Sequence, residues 1–267
     1  MHLFLGLLVA VARAAKVDEV RLTWAWPSGL DIPVRVDVRE VVTAGWESRR
    51  RCFSVEARLR SQQDAVGLRV WFTDAVDVLP ADQCPQFVEL RPALPPGFVV
   101  DGSGVVTVVD GEDRRRTDEL WNRAVGFWAG RTARREPERS RASRATPALG
   151  WEVSPVEVTC ALVDVDRRGE EVELSLSLTP DPLAATDYFT RLHTTALELE
   201  GTTVGDAHLT ETTRVVVDPR TLVPVRWTEV LLVTLTMADP PGSARREVET
   251  RWSFGAAPGE ASSRHSR

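Results

Sequence analysis

Lysine is almost missing from this chain: Lys16 is the single example among 267 residues. The other basic residues are arginines, and the net charge of −6 argues against a nucleic-acid partner, whose phosphates demand a basic face. Histidine is nearly as scarce, at four residues, so the usual general base near neutral pH has few places to be. His2 and His265 lie at the two ends. His193 and His208 sit among threonines in strand-like segments, outside HExxH or any other ligand spacing. Neither a GxSxG elbow, a P-loop nor a GxGxxG after a strand occurs, so catalytic, metal and cofactor roles find no support in any motif. Beyond the first residues, no apolar run approaches the roughly 20 residues of a spanning helix.

Cysteine is also rare, with three residues and no CxxC pair. Cys160 shares a face with Val156, Val158 and Leu162 and reads as a small buried hydrophobe. Cys52 falls on the polar face of the alternating run Arg51–Leu59, and Cys84 lies in a proline-rich turn. A Cys52–Cys84 disulfide would be worth about 3–4 kcal/mol for a loop of that size and suits an exported protein. Three free thiols are the alternative.

What the chain does have begins with an apolar run. Leu3 to Ala12 is unbroken, and Ala12-Arg13-Ala14 has the small-x-small spacing of a signal-peptidase site. Residues 1–14 are therefore expected to be an export signal, although the segment before the run carries no Lys or Arg. That reading places the protein in the periplasm or outside the cell, and in the cytoplasm if the run is not a signal.

After it, period-two alternation dominates. Val34, Val36 and Val38 point one way while Arg35, Asp37 and Arg39 point the other; Val172, Leu174, Leu176 and Leu178 repeat the pattern. Such segments make antiparallel strands with one face buried. Asp101-Gly102 divides two strands as a hairpin turn, and Asp218-Pro219-Arg220-Thr221 fits a type I turn with Pro at its second position. Beyond that second turn Leu231, Val233, Leu235 and Met237 share a face, and Pro224 suggests an edge strand or a bulge.

One segment breaks the rhythm. Leu120, Ala124 and Trp128 fall at helical spacing within Glu112 to Ala129, with Trp121, Val125 and Phe127 widening the stripe and Asp113 as the N-cap. An amphipathic helix of this kind must lie on an apolar surface. The next stretch, residues 130–149, holds six arginines, two glutamates and little that is apolar, and is read as a basic, disordered linker. The organisation expected is a first β-meander plus helix over 15–129, the linker, a second β-meander over 150–255, and a disordered tail over 256–267. The fold class is mainly β (α+β): two related meanders in one curved antiparallel sheet or half-barrel, with the helix packed on it.

Two strand–turn–strand units carry a resemblance, FVVDGSGVVTVVDG in the first half and VVVDPRTLVPVRW in the second, together with the helix sequence GEDRRRTDELWNRAVGFWAG. With the signal-like start, they resemble a group of exported bacterial β proteins of uncharacterised function. More distantly the chain is similar to the outer-membrane lipoprotein carrier fold, in which a curved sheet wraps a helix. The resemblance spans most of residues 17–254 as a pattern. It departs at Leu222, which stands where a glycine is expected after the second turn. It implies a fold and an envelope location, and carries no catalytic residues.

Tryptophan is the class to follow, with nine residues against one tyrosine. Trp24 and Trp26 share a face of one expected strand, Trp71, Trp227 and Trp252 lie on others, and Trp121 and Trp128 are on the helix. Facing inward, they fill a core or line a pocket. The candidate ligand-binding set is Trp24, Trp26, Trp71, Trp121, Trp128 and Trp227. The expected function is binding of an apolar ligand or lipid between sheet and helix by an exported, non-enzymatic envelope protein. The competitor is a structural module with a packed core that docks an envelope protein; a hydrolase-type enzyme comes third.

Overall fold

The structure is a computed structural model. It describes residues 17–80, 84–92, 94–110, 117, 121, 123–142, 156–166, 168–192, 203–239 and 241–255. The signal-like run, the C-terminal tail, His193 and most of the 112–120 stretch lie outside the described residues.

Alternation translates directly into strands. The first meander comprises β2 (Asp31–Ala44), β3 (Glu47–Gln63), β4 (Leu68–Val78), β5 (Phe98–Val100) and β6 (Val106–Val109). The second comprises β8 (Glu138–Ala142), β9 (Val156–Val165), β10 (Val172–Pro180), β11 (Thr203–Val217), β12 (Pro224–Asp239) and β13 (Gly242–Phe254). They form one 11-stranded antiparallel sheet in the order β6-β5-β4-β3-β2-β13-β12-β11-β10-β9-β8. The two meanders meet where β13 pairs with β2, Trp252 opposite Val36. The sheet does not close, and β6 and β8 are its free edges. Register shifts in four pairings, including Glu56/Arg58 and Val216/Val217, bend strands as bulges do.

One face is largely apolar. Val34, Val36 and Val38 on β2 are buried, as are Val172, Leu174, Leu176 and Leu178 on β10, and they belong to a single hydrophobic cluster spanning both meanders. Burying each such side chain is worth about 1.5–3 kcal/mol.

Several expectations change in detail. Pro224 opens an interior strand rather than an edge, and its missing N–H is absorbed at the bulge facing it, Val216/Val217. The two Asp-led turns occupy different places: Asp101 joins β5 and β6 at the rim, whereas Asp218 joins β11 and β12 inside the sheet. In the first, Gly104 rather than Gly102 takes the left-handed conformation, at φ 89°. In the second, Leu222 itself adopts φ 62° while fully buried, so the site that suits a glycine is filled by an apolar side chain. Residues 130–149 are not a disordered linker over their described part. Thr132–Arg134 forms β7, which pairs with β1 (Glu19–Arg21), and β8 adds a strand to the main sheet beside β9. Backbone pairing explains this, because an exposed edge strand needs little apolar content to form.

The helical expectation is also corrected. Among the described residues Thr117, Trp121, Arg123 and Ala124 are helical, but Gly126–Trp128 is a 3-10 turn, so Trp128 does not continue the helical stripe. An unforeseen helix, α1 (Pro182–Leu192), packs beside β11. Its start was legible: the Asp181 carboxylate accepts the Leu183 N–H at 3.0 Å, and Pro182 holds the first helical position. The Thr186 hydroxyl accepts the Ala207 N–H at 2.9 Å, so α1 serves the β11 edge where β10 has ended.

Candidate functional site

The site is built where the N-terminal segment crosses the sheet. Residues 22–26 are irregular, not a strand, and are pinned by backbone bonds to three places. Leu22 N–H reaches Arg131, Thr23 N–H reaches Pro219, and Ala25 N–H reaches Thr221. This hangs Trp24 and Trp26 side by side, ring centroids 5.5 Å apart, against Trp121 from the helical segment. Trp121 also meets Phe98 of β5 edge-on at 5.2 Å.

Two indoles are fixed by hydrogen bonds to the Asp101 turn. Trp24 Nε1 donates to the Asp101 carbonyl at 3.0 Å and Trp121 Nε1 to the Gly104 carbonyl at 2.8 Å. The Asp101 carboxylate accepts the Ser103 hydroxyl and the Ser103 and Val105 N–H groups, and these bonds hold its pKa below the ordinary value. The turn is thus a rigid anchor for the aromatic cluster.

Facing it across the interior, Trp227 of β12 and Trp252 of β13 are direct register partners and stack at 5.1 Å with planes 14° apart. Phe72 and Phe254 flank Trp252. Between the two groups lies a cavity of about 40 Å³, walled by Trp26, Trp121, Trp227, Trp252, Phe98 and Phe72 with aliphatic neighbours and Thr117. The indole N–H groups of Trp26, Trp227 and Trp252, and that of Trp128 away from the cavity, are buried without a hydrogen-bond partner among the described residues.

Of the six candidate tryptophans the structure brings together Trp26, Trp121 and Trp227 on this cavity, with Trp24 behind them. Trp71 is not part of it: Leu68, Val70 and Phe72 take the inward positions of β4, so period two turns Trp71 to the opposite face. Trp128 is not part of it either; it packs on Phe127 in the 3-10 turn and lies near Cys160. Trp252, Phe72, Phe98 and Phe254 were left out of the candidate set. Alternation through Val248, Thr250 and Trp252, and through Leu68, Val70 and Phe72, places them inward.

Further along the same face are charges that the sequence reading missed. Glu40 is almost wholly buried, and Arg51 Nε and Arg246 Nε bind its two oxygens at 2.6 and 2.7 Å. Arg123, from the helical segment, pairs with Glu211 and lies 3.9 Å from Glu229. Nearby, Cys52 and Cys84 are joined by a disulfide with Cα atoms 5.7 Å apart. It holds the 84–87 segment against β3 just past the end of β4, where Cys52 N–H donates to Pro85 and Phe87 N–H to Cys52. Arg51 lies over the Phe87 ring at 4.4 Å. Cys160 is unpaired and buried, and burial pushes its thiol pKa up.

The remaining polar groups are dispersed. His208 is exposed, 3.0 Å from the Asp206 carboxylate. Asp166 accepts the Glu170 and Glu171 N–H groups and caps its turn, which lowers its pKa. Among the described residues no group of three or more His, Cys, Asp or Glu is arranged to hold a metal ion. No helix among them is long and apolar enough to cross a membrane.

Together these features define an open, antiparallel β half-barrel with an aromatic interior. No protein-family model and no curated protein matches the chain. Among solved structures it is similar to lipovitellin, in a structure described as showing lipid–protein interactions. That match has a TM-score of 0.51 and 7% identity, and covers 86% of this chain and 25% of that one. The chain thus spans about a quarter of its lipovitellin neighbour, and at this identity the likeness concerns the fold. A second match, DynF from the dynemicin biosynthesis pathway of Micromonospora chersina, has a TM-score of 0.24 and 9% identity, covering 96% of this chain and 95% of that one.

Proposed function

We propose that this is an exported, non-enzymatic envelope protein that binds an apolar ligand or lipid in the aromatic interior between the sheet and its helical roof. The observation that carries the reading is the convergence of Trp26, Trp121, Trp227 and Trp252 on one cavity beneath the Trp121 segment. Concave, aromatic-lined spaces with few polar groups are the usual form of small-ligand sites. Lipovitellin, similar in fold and known in a structure described by its lipid–protein interactions, points the same way. The Cys52–Cys84 disulfide supports export, since such bonds persist in oxidising compartments.

The cavity's size sets a condition. About 40 Å³ is far below the roughly 300–1,000 Å³ of ordinary ligand pockets. A chain-like ligand therefore enters only if the Trp121 segment lifts or the aromatic walls part. The same small volume favours the competing reading, a protein-interaction module with a filled interior.

Native mass spectrometry with lipid extraction, on protein purified gently from the envelope fraction, separates the two. A binding protein carries an apolar molecule in near-stoichiometric amount. Bare protein, from cells in which it folds normally, would reject the ligand reading in favour of the packed module.

A further inference from the structure

A second cavity opens beside β3 and β4, further toward the β2–β3 hairpin than the aromatic one. At about 250 Å³ it is several times larger, close to the roughly 300 Å³ at which ordinary ligand pockets begin. Its walls are Val55 of β3, Ala75 of β4, and Arg91, Pro92 and Leu94 of the segment that leads from β4 to β5. Leu94 lines this cavity and Pro95 the aromatic one, so adjoining residues of that segment divide the two.

Both sides of this space are set by the fold. Between the pairs Arg58–Thr73 and Glu56–Val76, β4 has Asp74 and Ala75 against Ala57 alone on β3, which is a bulge. There Asp74 takes φ 57°, a left-handed conformation uncommon outside glycine, and Ala75 beside it comes to the cavity. Backbone strain of this kind persists where the surrounding structure requires it, and it clusters at binding sites. On the other side, the Cys52–Cys84 bond ties the start of the covering segment to β3, while Leu90 and Leu94 pack against the core.

The lining is apolar except at one residue. Arg91 is charged, its side chain is 49% exposed, and its partner Asp77, 3.0 Å away, is 45% exposed. An ion pair so open to water contributes little, so exchanging Asp77 for another anion costs little. Arg91 lines the cavity and Asp77 does not, so the charge presented there is positive. A guanidinium matches the paired oxygens of a carboxylate or phosphate. Apolar walls with one such cation suit a molecule that has an oily chain and an anionic end.

We infer that this second cavity binds a single-chain anionic amphiphile, its chain against Val55, Ala75 and Leu94 and its head on the Arg91 guanidinium. A volume below the ordinary range limits the ligand to one chain. The site is separate from the aromatic cavity and does not depend on that cavity's being filled.

The test is isothermal titration calorimetry of the full chain at about pH 8, where a carboxylate is ionised. Dodecanoate and dodecyltrimethylammonium, both below their micellar concentrations, serve as probes of one chain length and opposite charge. Dodecanoate binds about tenfold more tightly than the cationic probe. Ala75→Phe, at an exposed position, fills the cavity and weakens dodecanoate about tenfold. Arg91→Gln weakens it about fivefold, and Asp77→Asn, which releases the guanidinium, strengthens it about threefold. Equal affinity for the two probes, or dodecanoate affinity unchanged in Ala75→Phe, overturns the inference; in the second case the chain binds elsewhere and the proposed function stands. Absence of dodecanoate binding overturns it as well, whereas an uncharged apolar molecule recovered by native mass spectrometry would still uphold the proposed function. If Ala75→Phe does not fold, the opposite responses of Arg91→Gln and Asp77→Asn decide the matter, and no change in either overturns the site.

Discussion

The inner face of the sheet treats polar groups in opposite ways at its two ends. Toward the β2–β3 hairpin, the buried Glu40 carboxylate gives one oxygen to Arg51 and the other to Arg246. Toward the Asp101 turn, Trp26, Trp227 and Trp252 bury indole N–H groups that have no partner among the described residues. Both sets sit on one cross-strand surface: Trp252 faces Val36 on the β13–β2 seam, and Glu40 faces Val248 along the same pair. Packing therefore does not account for the difference. Where the charges hold three strands in register, both Glu40 oxygens are bound within the fold. Where the indoles converge, three N–H groups are buried without a partner among the described residues.

The largest effect comes from breaking the charged end. In an Arg51→Ala/Arg246→Ala variant the Glu40 carboxylate stays buried without a cation. Stranding one partner of a buried pair costs about 3–5 kcal/mol. Either single substitution costs less, because the other guanidinium remains. Urea unfolding followed by circular dichroism gives the comparison, and a double variant as stable as the parent would show that this end does not hold the sheet together.

Next is the covalent tie beside it. Removing the disulfide in a Cys52→Ala/Cys84→Ala variant frees a loop whose ends are 32 residues apart, a loss of about 3–4 kcal/mol by chain entropy. The 84–87 segment detaches from β3 with it. Because Phe87 lies under Arg51, this change and the arginine variant are coupled, so the two losses do not add. Additive losses would mean that the segment and the ion pair act independently.

These two ends were not equally legible. Alternation in Val34–Val38 and Val172–Leu178 carried the sheet, because a period of two on one buried face has few other solutions. The same logic contained the missed charges: Glu40 is the next inward position after Val34, Val36 and Val38, and Glu211 and Thr213 interrupt the inward row between Val215 and Leu209. A polar residue on an inward position is a signal, but its partner is not readable. Arg246 reaches Glu40 only because β13 returns to pair with β2 some 206 residues later. The strand β8 was hidden for another reason. Its exposed, arginine-rich composition matches a solvated linker, and only the long-range pairing with β9 makes it a strand. At the aromatic end Trp26, Trp121 and Trp227 were readable as inward residues. Trp71 was misplaced because the parity of β4 is set by Leu68, Val70 and Phe72, and the split of the indoles into bonded and unpartnered depends on a turn far away in sequence.

The smallest effect is the most discriminating. Trp121→Phe removes a bond to the Gly104 carbonyl and some packing, at a cost of about 2 kcal/mol. Trp227→Phe removes similar volume but a donor that bonds nothing, and the relief of that buried N–H offsets the lost contacts, leaving a change within about 1 kcal/mol. Paired urea titrations of the two variants without added ligand compare like with like, indole against phenyl in adjoining walls of one cavity. If both lose the same stability, the Trp227 donor is satisfied in solution and the distinction between the two ends of the face is wrong. If Trp121→Phe alone is destabilised, the Trp227 N–H is unpartnered in solution as well, and the two ends of the face differ as the structure has them.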